Sequence, residues 1–106
     1  MTVQKIQALK SHLRTMGYYH INLLEKKDDS FQIIAEGVLR SILLFVTIEH
    51  HMSSSMRKEI QQVKSKARDL QKEPWAAIIK SDDGKKMDEI AWFDLSKRES
   101  LKILFT

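Results

Sequence analysis

The predicted strand from Ser41 to Glu49 contains a nearly continuous apolar run, and this run constrains the fold more than any other segment of the chain. Every residue from Ile42 to Val46 is apolar, and Ile48 follows one position beyond Thr47. Successive side chains of a strand point to opposite faces of the sheet, so a strand of this composition must be covered on both faces. The run is also too short to cross a bilayer as a helix. The composition of the run therefore predicts the central strand of a sheet that is packed on both faces. Because of its length, we expect no membrane partner.

Two segments have the three- and four-residue apolar spacing of amphipathic helices. The first follows Thr2, a candidate N-cap, and stops at Gly17, a residue typical of helix C-termini. Its apolar positions are Val3, Ile6, Leu9, Leu13 and Met16. The second follows the serines at 53–55 and cannot extend past Pro74. Its apolar positions are Met56, Ile60, Val63, Ala67 and Leu70.

The remaining apolar segments are short, branched and aromatic, which is typical of strands. They span residues 18–24, 31–36, 75–79 and 87–93, and the tail at 101–105 is a candidate edge strand. Polar residues predict connections at 25–30 and 37–40, and Ser81–Gly84 predicts a hairpin turn because Asp-Gly tolerates positive φ. We predict a single α/β (α+β) domain over residues 1–106, in which two helices flank a mixed β-sheet in the order α-β-β-β-α-β-β.

The composition narrows the classes of function. A chain of 106 residues is the size of one domain. The lack of cysteine excludes a disulfide scaffold, thiol catalysis and cysteine-bound zinc, and the presence of only three glycines disfavours a P-loop enzyme. The segment MTVQKIQALKSHLRT lacks the apolar core of a signal peptide. We expect a cytoplasmic protein with no cofactor.

Residues 31–49, FQIIAEGVLRSILLFVTIE, together with the element order, resemble the core of the PD-(D/E)xK nuclease superfamily. In active members the matching stretch looks like a strand with an Asp, a tight turn, and a strand with the pattern hydrophobic-Glu-x-Lys. The segments PWAAII and IAWFDLS look like the terminal strands of small bacterial members. The resemblance spans most of the chain and implies the restriction-endonuclease-like fold that is shared with tRNA-splicing and Holliday-junction enzymes.

The resemblance also implies that the usual cleavage site is lost. In active members the Asp and Glu hold a divalent metal, and the Lys helps to orient the attacking water. The matching positions here are Gln32, Phe45 and Thr47. Magnesium prefers carboxylate oxygens, which an amide, a phenyl ring and a hydroxyl do not supply. We therefore expect no catalytic residue and no metal at these positions, and a protein that acts as a binding or interaction module.

One alternative is a metal-dependent nuclease with relocated carboxylates. Strand alternation would bring Glu36 and Glu49 near one strand end, beside His50 or His51. We prefer the interpretation that both glutamates are exposed strand-end residues.

Basic residues are the candidates for a nucleic-acid partner. Eighteen Lys and Arg against 14 Asp and Glu give a net charge of +4, which permits nucleic-acid binding without requiring it. Lys64, Arg68 and Lys72 recur every four residues, which predicts one outer face of the second helix. With Lys5, Arg14 or Lys66 they could contact the phosphate backbone, and a solvated helix face is the competing interpretation.

A third interpretation is a small homodimeric structural or interaction protein with no nucleic-acid role. Trp75 and Trp92 lie on the two arms of the predicted hairpin. Aromatic side chains on strands pack in a core or a dimer interface more often than they stack on bases. The apolar hairpin and the tail would supply the interface of such a homodimer.

Overall fold

The structure, a computed structural model, describes residues 3–27, 30–48, 54–80, 89–99 and 102. Its elements are helix α1 (Val3–Thr15), strands β1 (Tyr18–Lys26), β2 (Ser30–Gly37) and β3 (Ser41–Ile48), helix α2 (Ser54–Asp69), and strands β4 (Glu73–Lys80) and β5 (Glu89–Asp94). This is the predicted order, and the α+β class is confirmed. No helix within the described residues is long and apolar enough to cross a membrane.

The five strands form one mixed sheet in the order β1-β2-β3-β4-β5. Strands β1, β2 and β3 pair antiparallel, β3 and β4 pair parallel, and β5 returns antiparallel to β4. A parallel pair needs a long crossover connection, which α2 supplies between β3 and β4. Strand β3 therefore lies at the centre of the sheet, as its apolar run predicts.

The alternation of side chains along β3 divides the core between the two faces of the sheet. Ile42, Leu44 and Val46 share a buried cluster with α1, whose contribution is Ile6, Leu9 and Leu13. Leu43 and Phe45 share a second cluster with α2, whose contribution is Met56, Ile60, Val63 and Ala67. The two helices therefore cover opposite faces, and the molecule has three layers.

Both helices end before their apolar spacing does. Met16 and Leu70, the last members of the two predicted stripes, lie beyond the helices and are exposed by 51% and 43%. The next residue in each case, Gly17 or Gln71, has a left-handed backbone with φ of 105° or 58°. That conformation ends a helix, so the last apolar residue of each stripe is carried away from the core.

Some predicted boundaries differ from the structure. Glu25 and Lys26 continue β1 rather than beginning a turn, because they pair with Gln32 and Phe31. The predicted turn at 81–84 lies outside the described residues. Of the predicted tail strand at 101–105, only Lys102 is described, and it is helical.

Candidate functional site

The three positions that the resemblance assigns to a metal site lie together on the α2 face of the sheet. Gln32 and Phe45 are direct neighbours in the antiparallel register, and Thr47 follows two residues further along β3. We call this set the Gln32 site. Its residues are exposed by only 9%, 2% and 1%, in the order Gln32, Phe45, Thr47. Strand alternation places Phe45 and Thr47 on one face, but the pairing of Phe45 with Gln32 depends on the β2–β3 register, and the depth of burial is not predicted.

Phe45 makes the surroundings of the Gln32 site apolar, like those of a hydrophobic core. Its side chain belongs to the apolar cluster beneath α2, which also contains Met56 and Ile60. A divalent ion placed here would lose its hydration and gain no carboxylate ligand from the phenyl ring. The part of the Gln32 site around Phe45 is thus apolar and buried.

The Gln32 amide links the sheet to α2 through a polar network. Its Nε2 donates to Glu25 Oε2 at 3.1 Å, and its Oε1 accepts from Lys66 Nζ at 3.2 Å. Lys66 Nζ also lies 3.8 Å from Glu25 Oε2. The sequence does not indicate Glu25 as a partner, because its polar neighbours predict a turn there; its position in β1 opposite Gln32 creates the contact.

Of the two proposed relocated carboxylates, the structure describes only Glu36. Glu36 Oε1 accepts a hydrogen bond from Lys72 Nζ at 3.1 Å, and the same ammonium donates to Ser41 Oγ at 2.6 Å. Glu49, His50 and His51 lie outside the described residues. Among the described residues, no group of three or more His, Cys, Asp or Glu side chains could hold a metal ion.

The predicted phosphate-binding residues are divided by the fold. Lys5 and Arg14 belong to α1, which lies across the sheet from α2. Lys72 lies beyond the end of α2 at Asp69, and its ammonium is held by Glu36 and Ser41. The spacing of four residues therefore describes a shared helix face only for Lys64 and Arg68.

Lys64 and Arg68 lie on the flank of α2 that points toward β5. The helical repeat of about 3.6 residues places Glu59 and Lys66 on the other flank. Those two side chains contact Lys27 and Glu25, which fixes that flank toward β1 and β2. Within the described part of the chain, neither Lys64 nor Arg68 forms an ion pair; Arg68 is exposed and Lys64 is half-buried.

Two further cations follow a residue that is buried in the α2 cluster. The Leu95 side chain is buried in the α2 cluster, and its backbone N–H donates to the Pro74 carbonyl at 3.0 Å. The exposed Lys97 and Arg98 follow after Ser96. We call the set Lys64, Arg68, Lys97 and Arg98 the α2 cationic flank. The Lys-Arg pair is visible in the sequence, whereas the burial of Leu95 shows on which side of the sheet the segment before the pair packs.

Three of the strand aromatics pack against the core, whereas Tyr19 is 60% exposed. Tyr18, Trp75 and Trp92 are partly buried against the α1 cluster. The His12 ring stacks on Trp92, with centroids 5.6 Å apart and 16° between the planes. This agrees with the expectation that strand aromatics serve a core, and it leaves the cations as the candidate nucleic-acid contacts.

Comparison with known proteins does not assign a family. No model of a protein family matches the chain, and no curated protein gives a significant match. The resemblance to the nuclease superfamily thus depends on residues 31–49 and on the order of the elements.

Proposed function

We propose that this protein is a non-catalytic module of the nuclease-like fold that binds the phosphate backbone of nucleic acid in the cytoplasm. The observation that carries the non-catalytic part is Phe45. It stands where active members hold a metal-binding Glu, and it is 2% exposed beneath α2. A buried phenyl ring at this position supports a retained scaffold with a different use.

The α2 cationic flank supports the choice of nucleic acid as the partner. Lys64 and Arg68 lie on one side of one helix, and Lys97 and Arg98 follow a residue anchored to the same cluster. Contacts from Lys and Arg to phosphates give affinity without reading the base sequence. With the tryptophans packed against the core, we expect binding that is sensitive to salt and tolerant of sequence.

Two alternatives have weaker support. For a nuclease with relocated carboxylates, Glu36 would have to bind a metal while it accepts a hydrogen bond from the Lys72 ammonium, and that cation opposes a second positive charge. For a homodimer built on the β4–β5 hairpin, the two tryptophans of that hairpin already pack against the α1 cluster of their own chain.

The test is the salt dependence of binding to a fluorescent oligonucleotide, measured by anisotropy for single- and double-stranded DNA and RNA. Each phosphate contact contributes about 0.9 to the slope of log affinity against log salt for a duplex. We expect Lys64→Ala and Arg68→Ala each to lower the slope by about one contact, on every sequence tested.

Lys66→Ala is the matched control, because it removes the same charge from the opposite flank of the same helix. We expect the slope of this variant to stay at the wild-type value. The α2 cationic flank would be rejected as the interface if no oligonucleotide bound at low salt. It would also be rejected if the slope fell equally in all three variants.

A further inference from the structure

The outer edge of β1 is the least protected part of the sheet. β1 is a nine-residue strand at the end of the strand order, so only one of its edges pairs within the described residues. Edge strands are usually protected by charges, prolines or β-bulges, and in β1 the charged residues are confined to the C-terminal end, at Glu25 and Lys26. Here large apolar side chains are exposed instead: Tyr19 by 60%, Leu23 by 41% and Leu24 by 43%.

Two irregularities define how much of this edge can pair. The β1–β2 register shifts between Tyr18 and His20 and again between Leu23 and Glu25. The extra residues, Tyr19 and Leu24, therefore sit in β-bulges, and the regular ladder between them runs from His20 to Leu23. Only in that short segment does β1 have the regular backbone geometry that pairing with another strand requires.

We propose that β1 pairs antiparallel with β1 of a second copy of this chain, around a two-fold axis at Asn22. Ile21 and Leu23 lie on the α1 face of the sheet, because they pair with Ala35 and Ile33 of the α1 cluster. An axis at Asn22 sets Ile21 opposite Leu23 of the second copy and Asn22 opposite itself. Apolar residues then meet on one face, and the two amides meet on the other.

Neighbouring registers fit less well. A slip of one residue between paired strands sets residues of opposite faces against each other. In this strand it would place Ile21 opposite Asn22 of the second copy. The Asn22 register keeps the α1 faces of both copies on the same side, so two five-stranded sheets become one continuous sheet.

The positions of the charged residues in β1 are also compatible with pairing between two copies of the strand. The strand carries one acid and one base, Glu25 and Lys26, both at its C-terminal end. In the Asn22 register these residues lie opposite Tyr19 and Tyr18 of the other copy, so no like charges meet. Cross-strand like charges destabilise a pair, and their absence favours self-pairing over pairing with an arbitrary peptide.

The dimer is expected to be modest in affinity. Specific stable interfaces bury at least about 1,200 Å² in total, and a short ladder with a few flanking apolar side chains is at the lower end of that range. The inference does not rest on nucleic-acid binding, because the α2 cationic flank points toward β5, at the opposite edge of the sheet.

Light scattering on the full chain, at protein concentrations from roughly 1 µM to 1 mM, tests the dimer. We expect a concentration-dependent dimer that Leu23→Lys weakens by about tenfold or more. Leu39→Lys is the matched control, since it makes the same change at a residue that is 94% exposed outside the sheet. A monomer at every concentration, or a dimer weakened only by Leu39→Lys, would overturn the proposal.

Cysteine cross-linking tests the register itself, because the chain contains no cysteine. A two-fold axis at Asn22 brings that residue next to its own copy, so Asn22→Cys should form a covalent dimer with a short thiol cross-linker. Ser65→Cys, an exposed change on α2, should stay monomeric under the same conditions. Equal cross-linking of both variants, or none at residue 22 in a sample that is dimeric, would contradict the Asn22 axis.

Discussion

Gln71 has an unusual backbone for a residue with a side chain. Its φ is 58°, its N–H donates to the Arg68 carbonyl at 3.1 Å, and the Lys72 N–H donates to the Ala67 carbonyl at 2.8 Å. This is the Schellman pattern that closes a helix, in which glycine usually holds the left-handed position. A side chain in this conformation costs roughly 1–2 kcal/mol.

Gln71→Gly should therefore raise the free energy of unfolding by about 0.5–1 kcal/mol, after the extra flexibility of glycine in the unfolded chain is deducted. Gly17→Ala is the converse control: its φ is 105° and no atom lies within 4 Å of the added Cβ, so its loss of stability would come from the backbone alone. Urea denaturation measures both. A neutral or destabilising Gln71→Gly would show that the glutamine side chain makes a stabilising contact.

Tyr18 links stability to alkaline pH. Burial raises the pKa of its hydroxyl above the ordinary value of 10.0; the charge of Arg40 lowers this pKa and the charge of Glu73 raises it, both by less than burial does. Between pH 10 and the higher folded pKa, the unfolded chain releases this proton while the folded protein keeps it. The stabilising contribution is therefore complete below pH 10 and is lost as the pH rises through the folded pKa.

Tyr18→Phe should remove this part of the alkaline loss of stability. The measurement is the free energy of unfolding of both proteins from about pH 8 upward through the tyrosine range. We expect the wild type to lose more stability than the variant above pH 10. Parallel curves would mean that Tyr18 ionises equally in the folded and unfolded chains.

At the scale of the elements, the basic residues after Ser54 have two different uses. Lys72 is 14% exposed and its ammonium joins Glu36 of β2 to Ser41 of β3, whereas Lys64 stands on the outer flank of α2. The first is a structural cation and the second is a candidate ligand for phosphate.

Lys72→Ala should lower the free energy of unfolding by about 1 kcal/mol, a value reduced from that of a buried charged hydrogen bond because Glu36 is 46% exposed. Lys64→Ala should stay within about 0.5 kcal/mol of the wild type, as surface substitutions do. Chemical denaturation checks stability, and oligonucleotide anisotropy should show the reverse order of effects on affinity. If Lys72→Ala kept the wild-type stability but bound the oligonucleotide more weakly, Lys72 would belong to the nucleic-acid interface.

The elements themselves follow closely from local patterns. The unbroken apolar run of β3 predicts a strand covered on both faces, and the two stripes predict α1 and α2, because burial dictates these periodicities. The position of Lys72 could not be predicted, since its spacing from Arg68 is helical and only the left-handed Gln71 shows that the helix has ended. The spacing of residues in the sequence does not reveal where a helix ends when the left-handed residue is not glycine.

The candidate site is less predictable, because it depends on contacts between distant segments. The neighbourhood of Gln32 and Phe45 follows from strand alternation and a hairpin register. The contact of Lys66 with Gln32, 34 residues apart, depends on how α2 lies across the sheet. The same holds for the segment before Lys97 and Arg98, because the burial of Leu95 shows on which side of the sheet that segment packs.

At the scale of the whole molecule, three features lie at separate places. The Gln32 site is closed beneath α2, the α2 cationic flank faces the β5 side, and the β1 edge lies at the other end of the sheet. Dimerisation through β1 would leave both cationic flanks open, at the two far ends of the joined sheet. The two proposals can therefore succeed or fail independently.

The most direct test of the proposed function is a cleavage assay under binding conditions. End-labelled single- and double-stranded DNA and RNA are incubated with the protein in Mg²⁺ or Mn²⁺, and each sample is split between an anisotropy reading and a denaturing gel. We predict bound strands that stay intact. Metal-dependent cleavage that disappears in Glu36→Gln or Glu49→Gln would contradict the account, because it would place an active metal site away from Gln32, Phe45 and Thr47.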